Sequence, residues 1–450
     1  MLLIALGLIA TMAIISNTTY RIHADELDHV AAARFYLDNW LPPAVADPRT
    51  LDSYSYGGFS YLNEWDIVYL LAGKFGRLVN PILQNEVYAF RSFNVLLFMC
   101  LTCMAWFRRD EILMFSVLLL SPQIWYLFSY FNADAFPIFL SFLAAYELTS
   151  SRSAFNDRTR SLAARYLRLG LYIGLIILSK KTFWMFAVFT VGYVALVELW
   201  HSSNRDWRAC IWRTCVLAMI ACAVALPRIA YDVYINGPPS QKAQKLGAIA
   251  ELLADDDFKP SRYGSNRFSN TINLKSRGVG FFEMIRSVKR ADHSWISETQ
   301  MTAFGVYYYL IVYGPAFLYN LAAGCVLLLA AVLSLSIVWK GNAHDKVTLA
   351  LSAACCLGIA GLSLLHSWMN DFQPQGRYLF AAFTILGILL VNSRQYLDSR
   401  FTTGVIVASF VLSSWSFIFV GLNHIPKYWE SVQSPNHPVF KLEREWKQRR

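Results

Sequence analysis

The sequence predicts an all-α polytopic membrane protein with about eleven transmembrane helices. Three observations carry that reading. Of the 450 residues, 56% are hydrophobic and only 16% charged, whereas soluble domains run near a quarter charged. Mean hydropathy is positive, at +0.37. Largely apolar runs of about 18 residues recur along the whole length, enough for a helix to cross a hydrocarbon core.

The first run, MLLIALGLIATMAIISN, has no basic stretch ahead of it and no small-residue cleavage site behind it. It reads as an uncleaved anchor rather than a signal peptide. Further spans are expected at 88–107, 112–130, 133–149, 166–179, 182–200, 211–234, 315–339, 347–366, 376–393 and 402–422, after a first at 2–18. The stretches 62–83 and 303–313 are apolar but interrupted by charge, Gly or Pro, which suits helices lying at the membrane surface. The chain then divides into an N-terminal membrane module, 1–234, whose first outer loop (20–87) carries the chemistry; a lid-like insert, 235–303; a C-terminal membrane module, 304–423; and an amphipathic tail, 424–450.

Orientation follows from the basic residues of the short loops. With the N-terminus in the cytoplasm, Arg108/Arg109, Arg152 to Arg168, Arg205 to Arg213, Lys340/Lys346 and Arg394/Arg400 all lie inside. The same threading sends the Asp25 region, YFNADAF (130–136), SKK (179–181), the 235–303 insert and HSWMNDFQPQGRY (366–378) outward. Every chemically rich segment faces one side, away from soluble activated sugars, and that favours a lipid-borne substrate. The net charge of +10 suits anionic headgroups and needs no nucleic acid. All eight cysteines lie in or beside apolar segments, so they form no disulfide framework.

The densest polar cluster is DELDH, where Asp25, Glu26, Asp28 and His29 follow the first apolar run. Capping of the next helix would explain one carboxylate. A set of carboxylates with His29 one turn away suits a general base or a divalent cation. SKKTFW places Lys180 and Lys181 outside, against the positive-inside bias. They are either snorkelling side chains or cations awaiting an anion such as a lipid phosphate. DFQPQGRYLF places Gln375, Gly376 and Arg377 at a helix start, where Arg377 is a headgroup anchor or a bidentate phosphate clamp, with Gly376 allowing close approach. Asn132 and Asp134 head another helix and read as caps. Arg262, Arg267, Arg277, Arg286 and Arg290 read as a solvated basic face.

An Asp-Glu pair opening the first outer loop resembles the GT-C membrane glycosyltransferases. DELDH (25–29), LSKKTF (178–183) and QGRYLF (375–380), in that order, are similar to a bacterial membrane-protein family grouped with them, patterned D-E-x-x-H and Q-G-R-Y-F. The resemblance covers most of the chain. It implies GT-C architecture with outward juxtamembrane helices in the bacterial inner membrane, and transfer of a monosaccharide from a polyprenyl-phosphate carrier to a glycan, lipid or protein acceptor at the periplasmic face. In that scheme Asp25 is the base, Glu26 and His29 orient it or bind a divalent cation if one is needed, and Asp134 is a second acidic residue. Lys180, Lys181, Arg377 and Gln375 hold the lipid phosphate. One departure is SYSYGGFSYLNEW (53–65), where GT-C enzymes often carry Pro-Pro-aromatic. Alternatives are a glycan polymerase or ligase using a lipid-pyrophosphate oligosaccharide, and a transporter of lipid-linked sugars.

Overall fold

The computed structural model describes residues 1–16, 23–201, 206–266, 269–290, 292–308 and 310–425. Arg267 and most of the 424–450 tail lie outside the described residues. The helices are α1 (Leu2–Ile15), α2 (Glu26–Asp38), α3 (Val68–Leu83), α4 (Glu86–Phe107), α5 (Ile112–Phe115), α6 (Pro122–Ser129), α7 (Ala135–Thr149), α8 (Leu162–Ile177) and α9 (Trp184–His201). They continue as α10 (Trp207–Asn236), α11 (Pro239–Leu253), α12 (Phe281–Ser287), α13 (Trp295–Ala303), α14 (Ala316–Lys340), α15 (Ala343–Met369), α16 (Phe380–Asn392) and α17 (Ser399–Trp415). A two-residue ribbon, β1 (Lys289–Arg290) against β2 (His293–Ser294), is antiparallel.

Among the described residues six helical stretches are long and apolar enough to cross a membrane, or seven if one bent pair is a single span. The expected span 112–130 is that pair, bent by 90° between Leu119 and Pro122. Pro122 has no N–H to continue the helix, and the Ser121 hydroxyl accepts from Gln123 N at 3.1 Å to start a new one. The segments expected at 2–18, 133–149 and 166–179 form helices of 14, 15 and 16 residues, short of the ~20 that a straight span needs. Helix α7 is apolar all round because protein surrounds it, with nearly every side chain buried. Hydropathy alone does not separate that case from immersion in lipid.

The lipid-facing character sits in α10, α14 and α15, whose most apolar stretches are only 22%, 22% and 28% buried. The core lies inside them, where α1, α4, α6, α7 and α16 enclose Phe98, Trp125, Phe128 and Ile388. Helix α8 meets α10 through Gly170-x-x-x-Gly174; a Cβ there would come within 2.7 Å of Ile220 and 2.6 Å of Val224. Small residues at this spacing let two membrane helices approach backbone to backbone.

Where a surface helix is expected at 303–313, the described residues form no helix beyond the end of α13, and Tyr307 is bridged to Val312. Gly305, Tyr308 and Leu310 have φ of 115°, 50° and 60°, which no helix accommodates. The other expected surface helix begins later, as α3. The 235–303 insert is tied down at both ends. Val45, Tyr54 and Ile249 form one small apolar cluster, while Leu274, Met284, Trp295 and Phe372 form another beside the end of α15.

Candidate functional site

Four segments converge where α2, α7, the α8–α9 turn and the 375–379 turn meet. Asp25 precedes α2 in the left-handed region (φ 59°), and its side chain makes no capping hydrogen bond. Its Oδ2 lies 3.6 Å from Arg377 Nη2. Asp134 is buried at the head of α7, and its Oδ2 lies 3.4 Å from Arg377 Nη1. Asp134 occupies the N-cap position of α7 without a side-chain cap bond, and Asn132 Oδ1 instead accepts from Asp134 N at 2.9 Å and Ala135 N at 3.2 Å. Capping therefore accounts for Asn132 and leaves both aspartates to the guanidinium.

Arg377 itself is buried in the turn Gly376–Leu379. Gly376 is required there for a reason other than ligand approach. A Cβ at that position would sit 2.3 Å from Ala303 N, and Gly376 N donates to Thr302 Oγ1 at 2.7 Å. The α13 backbone thus presses the turn inward and aims Arg377 at the carboxylates. Gln375 and Arg377 line a cavity of about 10 Å³ with Thr302, Tyr126 and Tyr130, room for roughly one water.

The two lysines part company. Lys180 is partly buried, with its ammonium 5.1 Å over the Tyr61 ring, and it makes no hydrogen bond or ion pair among the described residues. Burial disfavours its charge, but the nearby Asp134 and Asp66 carboxylates outweigh burial and raise its pKa. Lys181 points away to an exposed pairing with Glu64 at 3.1 Å.

Glu26 corrects the expected catalytic trio. Its two oxygens accept from Arg91 Nε and Nη2 at 2.7 and 2.6 Å, and Oε1 also accepts from Phe131 N at 3.1 Å. Arg91 in turn donates to Ala13 O at 3.2 Å. This fully buried pair ties α1, α2 and α4 to the 130–131 turn, which is structural work. His29 is also buried. Its Nδ1 meets Tyr69 Oη at 2.7 Å and its ring stacks on Tyr61 at 4.2 Å. Burial, then Lys180 and Arg377, push the imidazole pKa well down, so His29 is neutral. Among the described residues no three His, Cys, Asp or Glu side chains converge as a metal site. Of the three residues expected to hold a divalent cation if one is needed, Glu26 is paired with Arg91 and Asp25 faces Arg377.

Reasoning from sequence passed over three residues. His23 is buried beneath Tyr126 (Nδ1 to Oη 2.8 Å) and stacks on Tyr130 at 4.7 Å. Arg91 holds Glu26. Asp66, in NEWD (63–66), is buried without a hydrogen bond, and burial raises its pKa to about 7, with Lys180 opposing. A carboxylate just ahead of an apolar helix was the available signal for Asp66. The four described loop arginines, Arg262, Arg277, Arg286 and Arg290, are exposed.

No curated protein matches the sequence. The fold aligns with the crystal structure of ArnT from Cupriavidus metallidurans bound to undecaprenyl phosphate at 12% identity and a TM-score of 0.46. That alignment covers 90% of this chain but 62% of that one. Residues 37–386 match the family described as Predicted membrane protein (DUF2142), and the chain belongs to that family.

Proposed function

We propose that this membrane protein is a GT-C-type glycosyltransferase that moves a monosaccharide from a polyprenyl-phosphate carrier to a cell-envelope acceptor on the outer face of the bacterial inner membrane. The observation that carries the reading is the polar cluster itself. A guanidinium bridges two carboxylates while the Lys180 ammonium beside them makes no ion pair or hydrogen bond among the described residues. Two fixed cations beside one another at the end of an apolar bundle suit an anionic group of a lipid-borne substrate.

In this mechanism the Asp25 carboxylate takes the proton of the acceptor hydroxyl. The hydroxyl oxygen bonds to the anomeric carbon as the bond from that carbon to the phosphate oxygen breaks. The departing lipid phosphate keeps the bonding electrons, and the new negative charge falls to Lys180 and Arg377. Fixed cations at that point bind the transition state more tightly than the ground state. Asp134 holds Arg377 in register, Gln375 lines the same buried wall, and neutral His29 shapes the aromatic side with Tyr61 and Tyr69.

The test is transfer by membranes containing the protein, supplied with polyprenyl phosphate carrying a radiolabelled monosaccharide. Label should leave the carrier for an envelope acceptor, and membranes containing Lys180→Ala should lose most of that transfer. Label that stays on the carrier at the level of membranes lacking the protein would overturn the reading. Lys181→Ala is the matched control. Its exposed pairing is worth at most about 1 kcal/mol, so transfer and thermal unfolding should both stay near wild type.

A further inference from the structure

A second polar feature lies across Lys180 from the Asp25 cluster. A cavity of about 250 Å³ opens between the end of α2, the start of α3 and the outer half of α10, walled by Trp40, Ile67, Leu70, Pro227 and Tyr231. Asp66 and Arg228 also line it. Asp66 as a residue is only 8% exposed, and its carboxylate makes no hydrogen bond or ion pair among the described residues. Arg228 donates Nη2 to Glu64 O at 2.8 Å and lies against the Tyr36 hydroxyl, which also lines the cavity, while Nη1 is buried and makes no further hydrogen bond among the described residues.

The position of Asp66 is built. Ile67 N donates to Leu178 O at 2.9 Å, and Trp65 Nε1 donates to Asp232 Oδ2 at 2.9 Å. The turn is thereby pinned to α8 on one side and to α10 on the other. A carboxylate that makes no hydrogen bond among the described residues and a guanidinium with one nitrogen still to be met line the same small cavity, and together they limit what suits it. A purely apolar chain would leave both groups unmet. An anion would meet the carboxylate and a cation the guanidinium. A neutral group that both donates and accepts satisfies both.

We propose that this cavity binds one hydroxyl-rich ring, a sugar or cyclic polyol carried on a lipid tail. Asp66 and Arg228 take its hydroxyls, and Trp40 and Tyr231 offer it aromatic surface. The volume falls below the ~300–1,000 Å³ of drug-sized pockets, which limits the bound part to a single ring. The tail has a path outward, since Trp40, Leu41, Leu226 and Tyr234 are exposed apolar side chains around the mouth and the adjoining face of α10. This deepens the proposed transfer reaction, on which it rests for its role. Lys180 feels both Asp66 and Asp134, so the cavity would present the acceptor beside the donor phosphate.

The experiment needs no turnover. Full-length protein in phosphatidylcholine nanodiscs is titrated with octyl β-D-glucopyranoside below its micelle concentration, and saturation transfer to the glucose-ring protons is read by NMR. Octyl phosphate and 1-octanol serve as competitors. Saturable transfer to the ring is expected, weakened about tenfold or more in Asp66→Ala. Leu70→Trp, which fills the cavity while leaving both charged residues in place, should abolish it even if Asp66→Ala folds poorly. Equal binding by wild type and Leu70→Trp would overturn the site. Equal competition by 1-octanol would make it a lipid-chain crevice, and stronger binding of octyl phosphate an anion site; either result sinks the proposal. If the glucoside binds as expected but no sugar leaves a polyprenyl carrier, the transferase reading falls and the ring site stands.

Discussion

Asp25→Asn is expected to slow sugar transfer by roughly 10² to 10⁴ while leaving donor binding intact, the usual size of a lost general base. The substitution keeps the shape of the side chain and removes its proton affinity. Structural side effects should be small. The Asp25 carboxylate makes no capping hydrogen bond to α2, so the helix start does not depend on it. Its contact with Arg377 is at 3.6 Å, outside direct hydrogen-bond range, and an asparagine tolerates the left-handed backbone at φ 59° better than most residues. Initial rates and donor affinity measured on the purified variant decide the matter. A near-normal rate would remove Asp25 as the base and pass the role to Asp134 or Asp66, the buried acids acting on Lys180. A rate loss matched by lost donor binding would make Asp25 a binding residue.

The cluster was legible in the sequence because charge in an apolar chain is expensive, so each ionisable residue in or beside a span calls for a reason. Asp25, Asp134, Lys180 and Arg377 all met that criterion, and all four gather at one place. Adjacent residues of the same type defeated the same reasoning. Asp25 and Glu26 are neighbours, yet one faces Arg377 and the other is sealed against Arg91; only the position of α4 decides which. Lys180 and Lys181 divide likewise, one over Tyr61 and the other out to Glu64. Gly376 was correctly picked out as a close-approach residue, but what approaches is the backbone of α13. Of the eleven expected spans, six or seven are long and apolar enough to cross a membrane among the described residues, because a helix buried in protein and a helix bathed in lipid share one composition. Lengths of 14 to 16 residues and a 90° break become visible only with coordinates.

Arg377→Lys should lower transfer on the order of 10²-fold, although it keeps the charge. The guanidinium now reaches Asp25 with Nη2 and Asp134 with Nη1 at once, and a single ammonium cannot reproduce that fork. Arg377→Ala is the harsher change. It removes the guanidinium between Asp134 and Asp25 and leaves Lys180 as the nearby cation. Breaking a buried pair in this way costs about 3–5 kcal/mol, which thermal unfolding would register beside the loss of rate. The lysine variant therefore isolates chemistry from stability. Combining it with Lys180→Ala tests whether the two cations serve one anion. If both stabilise the same departing phosphate, the double variant should lose less than the product of the single losses, with a coupling of roughly 0.5–3 kcal/mol. Lys181→Ala in the same background should be simply multiplicative, because its ammonium belongs to Glu64. Independent effects of Lys180 and Arg377 would mean that Lys180 serves something other than the leaving phosphate, and the shared-site mechanism would fail with it.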